Sequence, residues 1–217
     1  MKRNQSGFTL IEIAIVLVII GLLLGGVMKG QELINSAKVK NLAADFKNTS
    51  LYIYSYQDKF RALPGDDALA TSHVTGATVA TTPDATPTVV GNGRIDGAWD
   101  SITKTDESFL FWQHVRLAGI ATGITNKDDA VGYPQRNTLG GLVGITNSTV
   151  TDNPITDLKG SYIICSSNIQ GKFAKQLDIM MDDGSTATGS MMTQTPAAKT
   201  TVANPDDTTL YTVCMGV

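Results

Sequence analysis

Gly7 to Met28 read GFTLIEIAIVLVIIGLLLGGVM, and this stretch decides how the rest of the 217-residue chain is read. From Phe8 to Met28 the only charge is Glu12, and a helix of this length, rising about 1.5 Å per residue, crosses a bilayer core. A secretory signal peptide would place a shorter apolar run ahead of a small-residue cleavage site, whereas here the small residue Gly7 precedes the run. Lys2 and Arg3 stand before it with no acidic residue. The excess of positive charge keeps residues 1–7 cytoplasmic and sends the polar bulk of the chain across the membrane.

Glu12 breaks the apolar pattern. A carboxylate at this depth is costly unless it is paired, protonated or near the interface. Cleavage between Gly7 and Phe8 would create an α-amine on Phe8, with which Glu12 of a neighbouring copy could pair. A lone interfacial glutamate is the plainer alternative.

Gly7-Phe8-Thr9-Leu10-Ile11-Glu12, after a short basic leader and before an uninterrupted apolar helix, resembles the class III signal of type IV pilins and type II secretion pseudopilins. The resemblance is close over roughly the first fifty residues and architectural beyond them. It implies cleavage after Gly7 and methylation of Phe8 by a prepilin peptidase/methyltransferase, with Glu12 ordering subunits during assembly. The implied partners are copies of the chain in a helical filament, an inner-membrane pilus or secretion platform, and membrane lipid before assembly. The implied course is a single-pass inner-membrane precursor with a periplasmic C-terminal domain, followed by an extracellular filament. One departure stands out: many type IVa pilins break this helix with a proline, but here Lys29 takes the place and no proline precedes Pro64. Gly21, Gly25, Gly26 and Gly30 soften the helix instead, at about 1 kcal/mol each relative to alanine, and their four-residue spacings allow close helix approach.

Beyond Lys29 the pattern turns amphipathic. Val39, Leu42, Phe46, Thr49, Ile53, Tyr56 and Phe60 recur at spacings of three and four and form one helical stripe. A helix from Thr9 to Phe60 would be ~75 Å long, so only its second half can pack on a compact domain and the apolar first half must protrude. Leu63-Pro64-Gly65-Asp66 ends it. The expected organisation is a leader (1–7), a transmembrane and assembly helix (8–28), its amphipathic continuation (29–62) and a globular region (63–217).

Within that region residues 70–93 are rich in Thr, Ala, Gly and Pro and read as a long loop, either a variable outer surface or solvated filler. Thr105-Asp106-Glu107-Ser108 followed by Phe109, Phe111, Trp112, Val115 and Ala118, with Gly119 beyond, predicts a short helix. Residues 141–146, 161–166 and 209–215 predict strands, and Ile169, Phe173, Leu177 and Met180 or Met181 a second short helix. The fold class is α+β, pilin-like: a long N-terminal helix laid by its second half against a C-terminal antiparallel sheet.

Cys165 and Cys214, the only two cysteines, fall in predicted strands on the oxidising side of the membrane. A disulfide between them is expected, with two buried thiols as the alternative, and the bridge would resemble the C-terminal disulfide loop of many type IV pilins. Gly91-Asn92-Gly93-Arg94-Ile95-Asp96-Gly97 places Asn92 and Asp96 in a glycine-rich loop, and Asp66 and Asp67 could add carboxylates to make a calcium site. A plain Asn-Gly turn explains the same loop, so no cofactor is required and calcium is the one candidate.

Seventeen basic against twenty acidic side chains give a formal net charge of −3, without the basic excess that tracks along phosphates. A dedicated nucleic-acid binder is not expected on that ground, and neither a specific nucleic acid nor a small-molecule ligand is indicated. Two histidines, His73 and His114, and the lack of a nucleophile or phosphate-loop motif speak against a tethered periplasmic enzyme. The expected function is structural: a processed subunit polymerised into a pilus-like filament for adhesion, motility or uptake. A type II secretion pseudopilin driving protein export is the alternative.

Overall fold

A computed structural model describes residues 9–81, 90–148, 154–155, 157–195 and 200–217. Helix α1 runs Leu10–Phe60, 51 residues without interruption, and passes through the four glycines and Lys29 as regular helix. The chain divides into two compact units, Met1–Lys38 and Val39–Val217.

In the first unit the apolar side chains have no partner among the described residues. Ile13, Ile15, Leu17, Ile19, Leu22 and Leu24 are all exposed. Such a helix, apolar on every face, is long and apolar enough to cross a membrane.

The second unit opens where α1 becomes amphipathic. Val39, Leu42, Ala43, Phe46, Thr49, Ile53 and Tyr56 are buried, six of them on the predicted stripe, while Phe60 at its end is half-buried. Four strands follow: β1 (Val143–Asn147), β2 (Tyr162–Gln170), β3 (Met191–Gln194) and β4 (Leu210–Gly216). They form one sheet in the order β1-β2-β4-β3 with every neighbouring pair antiparallel. Strand periodicity sorts their side chains between two faces. Ile145, Ile164, Met191 and Val213 join the α1 stripe in the main core. Ile163, Cys165, Met192 and Cys214 point the other way into a smaller cluster with Ile155 and Leu158. The sheet is thus covered on both faces.

Helix α2 (Ala70–His73) is a single turn, α3 (Glu107–Leu117) buries Leu110, Phe111 and Val115, and α4 (Gly171–Met181) buries Phe173, Ala174 and Leu177. Three expectations need correction. Residues 70–93 do not begin as open loop: Ala70–His73 is helical, and Ala70, Val74, Ala77 and Ala80 are buried by their small side chains. Residues 82–89 of that stretch lie outside the described residues. Ile169 belongs to β2, not to the following helix, because a register shift between Ser166 and Ile169, with Asn168 at φ 62°, lets the strand continue. Finally, β3 was not expected, since Met191-Met192-Thr193-Gln194 lacks the polar-apolar alternation of a half-buried strand; it is buried at all four positions.

Candidate functional site

The N-terminal segment is built around the start of α1. Gly7 and Phe8, the residues expected at the processing point, lie outside the described residues. Thr9 and Glu12 are described, and they cap the helix reciprocally. The Thr9 backbone N–H and hydroxyl both donate to Glu12 Oε2, at 2.8 and 2.7 Å, and the Glu12 backbone N–H reaches Thr9 Oγ1 at 3.4 Å. This is a capping box, with Thr9 as N-cap and Glu12 at the third helical position. Glu12 therefore orders its own helix end, a role that analysis of the charge alone overlooks. The Thr-x-x-Glu spacing ahead of an apolar run is the signal that points to it.

Further along, a side chain added at Gly21, Gly25, Gly26 or Gly30 would meet nothing within 4 Å. Each pair spaced by four leaves a bare strip of backbone on the helix, the surface against which a second helix can pack closely. Lys29 pairs with Glu32 at 2.6 Å where the apolar stretch ends.

The four residues proposed for calcium are divided by the fold. Asp66, Asn92 and Asp96 come together: Asp66 accepts the backbone amides of Gly91, Asn92 and Gly93, and Asn92 Nδ2 donates to Asp96 at 2.9 Å. Asp96 also accepts Asn147 Nδ2 at 2.6 Å. Asp67 turns into a different network, where its Oδ2 takes the Tyr56 hydroxyl at 2.8 Å and His73 Nδ1 at 2.7 Å. Asp66 and Asp67 thus act as anchors that fasten the glycine-rich loop and the α2 turn.

Glu107 is the member of this group that sequence reasoning placed only as a helix-start acid. It is fully buried at the first position of α3, accepts the Asp96 amide at 2.8 Å through Oε2, and has no donor on Oε1. Burial, then the charges of Asp66 and Asp96, push its pKa up to about 8, and Asp66 is also raised by burial. The charge of Asp66 bears on Glu107, so the two carboxyls titrate as a pair.

His114, also fully buried, is a satisfied core histidine: Nδ1 accepts the Gly65 amide at 2.9 Å and Nε2 donates to the Thr78 carbonyl at 2.8 Å. Burial lowers its pKa and keeps it neutral. None of these polar groups pairs a nucleophile with a base. Their chemistry is to fix loops.

Cys165 and Cys214 stand directly opposite each other on β2 and β4 and are joined as a disulfide, which leaves no free cysteine. The bridge ties the last strand to the centre of the sheet.

Residues 2–28 match the prokaryotic N-terminal methylation motif. No curated protein and no solved structure matches the chain. The motif coincides with the apolar start of α1, its Thr9–Glu12 cap and the Gly21–Gly25 strip, and an antiparallel sheet domain with a disulfide follows. The chain therefore carries at the head of α1 a class III prepilin-type signal, the kind that type IV pilins and pseudopilins bear.

Proposed function

We propose that the chain is a structural, non-enzymatic subunit of a type IV pilus-like filament, cut after Gly7 and polymerised through the first half of α1. The observation that carries this reading is the exposed, uncharged apolar stretch of α1 from Ile13 to Met28, inside the matched signal. Before assembly lipid covers it; in the polymer the matching segments of other copies take the lipid's place. Lipid tails are as apolar as leucine, so the driving force is helix packing at the glycine strips together with pairing of Glu12 to a neighbour's Phe8 amine. No cofactor is needed for such a step. The domain of residues 39–217 then forms the outer face of the fibre, and adhesion, motility or uptake would use its loops.

A pseudopilin of type II secretion is the second reading. It is favoured by the unbroken course of α1 through Lys29, where no proline interrupts the helix.

Intact and N-terminal peptide masses from sheared surface material and from washed membranes decide between them. A chain beginning at methylated Phe8 and abundant in the sheared fraction supports the surface filament. The same processed chain confined to membranes supports the pseudopilin. A chain beginning at Met1 in both fractions overturns both readings.

A further inference from the structure

At the end of α4 the carboxylates of Asp178, Asp182 and Asp183 converge, with one oxygen of each within 4.8 Å of the others. Asp178 has no exposed surface, and neither of its carboxylate oxygens has a hydrogen-bond partner. The Gly184 and Ser185 amides lie toward it but outside hydrogen-bond geometry. A carboxylate in this position is among the costliest groups to bury. Its situation is worse than burial alone, because it sits in the last turns of a helix, where the carbonyl ends carry partial negative charge. Among the described residues no lysine or arginine pairs with any of the three: Lys175, on the same helix, is bound to Asp207 at 2.6 Å.

The loop that carries the other two acids is already folded around them. Asp182 accepts the Ser190 hydroxyl and the Met191 amide, and Asp183 accepts the Ser185 amide and the Thr188 hydroxyl. Gly184 and Gly189 turn the chain at φ 86° and 84°, and a side chain at Gly189 would collide with the Asp182 carboxylate. Each carboxylate oxygen keeps a second lone pair, so these bonds position the acids without using up their capacity to ligate.

We propose that Asp178, Asp182 and Asp183 form a binding site for a calcium ion, separate from the loop at Asp66 and Asp96. Three negative charges with oxygen donors only, and no imidazole or thiolate, select a hard divalent cation. The irregular arrangement of a helix end and a nine-residue loop suits calcium's flexible coordination and not the strict octahedron of magnesium. The ion neutralises the buried Asp178 and clamps the end of α4 to the segment leading into β3.

The test uses the full chain in detergent micelles, stripped with a calcium chelator, exchanged into chelator-free buffer and titrated with CaCl2 in a calorimeter. One calcium per chain is expected, with magnesium binding at least about tenfold more weakly. Asp183→Asn, at an exposed position, should keep the wild-type circular dichroism spectrum and lose about tenfold or more in calcium affinity, while Asp96→Asn should bind as wild type does. Asp178→Asn, which mimics the protonated acid, should abolish the calcium-induced rise in Tm. No calcium heat with the wild-type chain, unchanged affinity in folded Asp183→Asn, equal affinity for magnesium, or loss on Asp96→Asn in place of Asp183→Asn would each overturn the assignment.

Discussion

The buried carboxyl groups of Asp66 and Glu107 are electrostatically linked inside the domain, the charge of Asp66 raising the pKa of Glu107. Three loop amides hold Asp66, and the Asp96 amide holds Glu107. The Glu107 pKa is pushed up to about 8, first by burial and then by the charges of Asp66 and Asp96. A carboxyl whose pKa is higher folded than unfolded stabilises the fold most at low pH. Its contribution is complete below the ordinary value near 4.5 and is lost as pH rises through about 8. Glu107→Gln replaces the protonated acid with a neutral amide that can still accept from the Asp96 amide. The variant should match the wild type near pH 5 and exceed it near pH 9 by at least about 1 kcal/mol, a few degrees in Tm. Asp45 and Asp178, also raised to about 6, titrate in both proteins and cancel in the difference. Thermal unfolding of the two proteins from pH 5 to 9 checks this. Parallel curves would show that the Glu107 pKa is not raised.

How far these features could be read beforehand depends on whether their cause is local. The α1 stripe repeats at helical spacing over six turns, and Val39 through Tyr56 are buried as that spacing dictates. Strands β1, β2 and β4 announce themselves by β-branched and apolar runs between turn residues. β3 does not, because its four residues are buried on both faces and their pattern carries no period. Glu107 is invisible for a different reason: an acid in the first turn of a helix is ordinary, and only the tertiary fold brings Asp66 and Asp96 against it. Asp67 looks equivalent to Asp66 in sequence, yet adjacent residues of a turn point apart, and it joins Tyr56 and His73. The Thr9–Glu12 cap, by contrast, is spelled out in four consecutive residues.

The disulfide between Cys165 and Cys214 closes a separation of 49 residues that contains α4 and β3. On the chain-entropy account a loop of that length is worth about 4 kcal/mol. Reduction, or the double substitution Cys165→Ala and Cys214→Ala, should lower Tm by roughly 10 °C at this chain length. Because β4 pairs with both β2 and β3, its loss should expose the sheet, and limited proteolysis should cut first between Met181 and the C-terminus. A Tm unchanged by reductant, with free thiols verified by mass, would mean that strand pairing alone holds β4.

Gly65 occupies a position that no other residue fits. Its φ is 92°, its amide donates to His114 Nδ1, and a side chain there would land on the carbonyl oxygen of Glu107. Gly65→Ala combines left-handed backbone strain with a clash against main chain, and should cost about 3 kcal/mol or more. The expected result is a protein that still inserts in the membrane but is rapidly degraded. Wild-type Tm in the purified variant would contradict the tight approach of the two segments.

Glu12 carries two functions that substitution can separate. Glutamine also completes a capping box, so Glu12→Gln keeps the bond to Thr9 while removing the charge, whereas Glu12→Ala removes both. Loss of the cap alone should cost about 1 kcal/mol of local helix stability, too little to prevent membrane insertion. If the charge of Glu12 meets a neighbour's Phe8 amine during assembly, both variants should insert normally, be processed normally and reduce filament yield by about tenfold or more. Thr9→Val, which loses the cap and keeps the charge, should reduce it far less. Quantifying the sheared and membrane fractions for all three distinguishes the roles. Full yield from Glu12→Gln with poor yield from Thr9→Val would assign assembly to the cap and remove the charge pairing from the proposed mechanism.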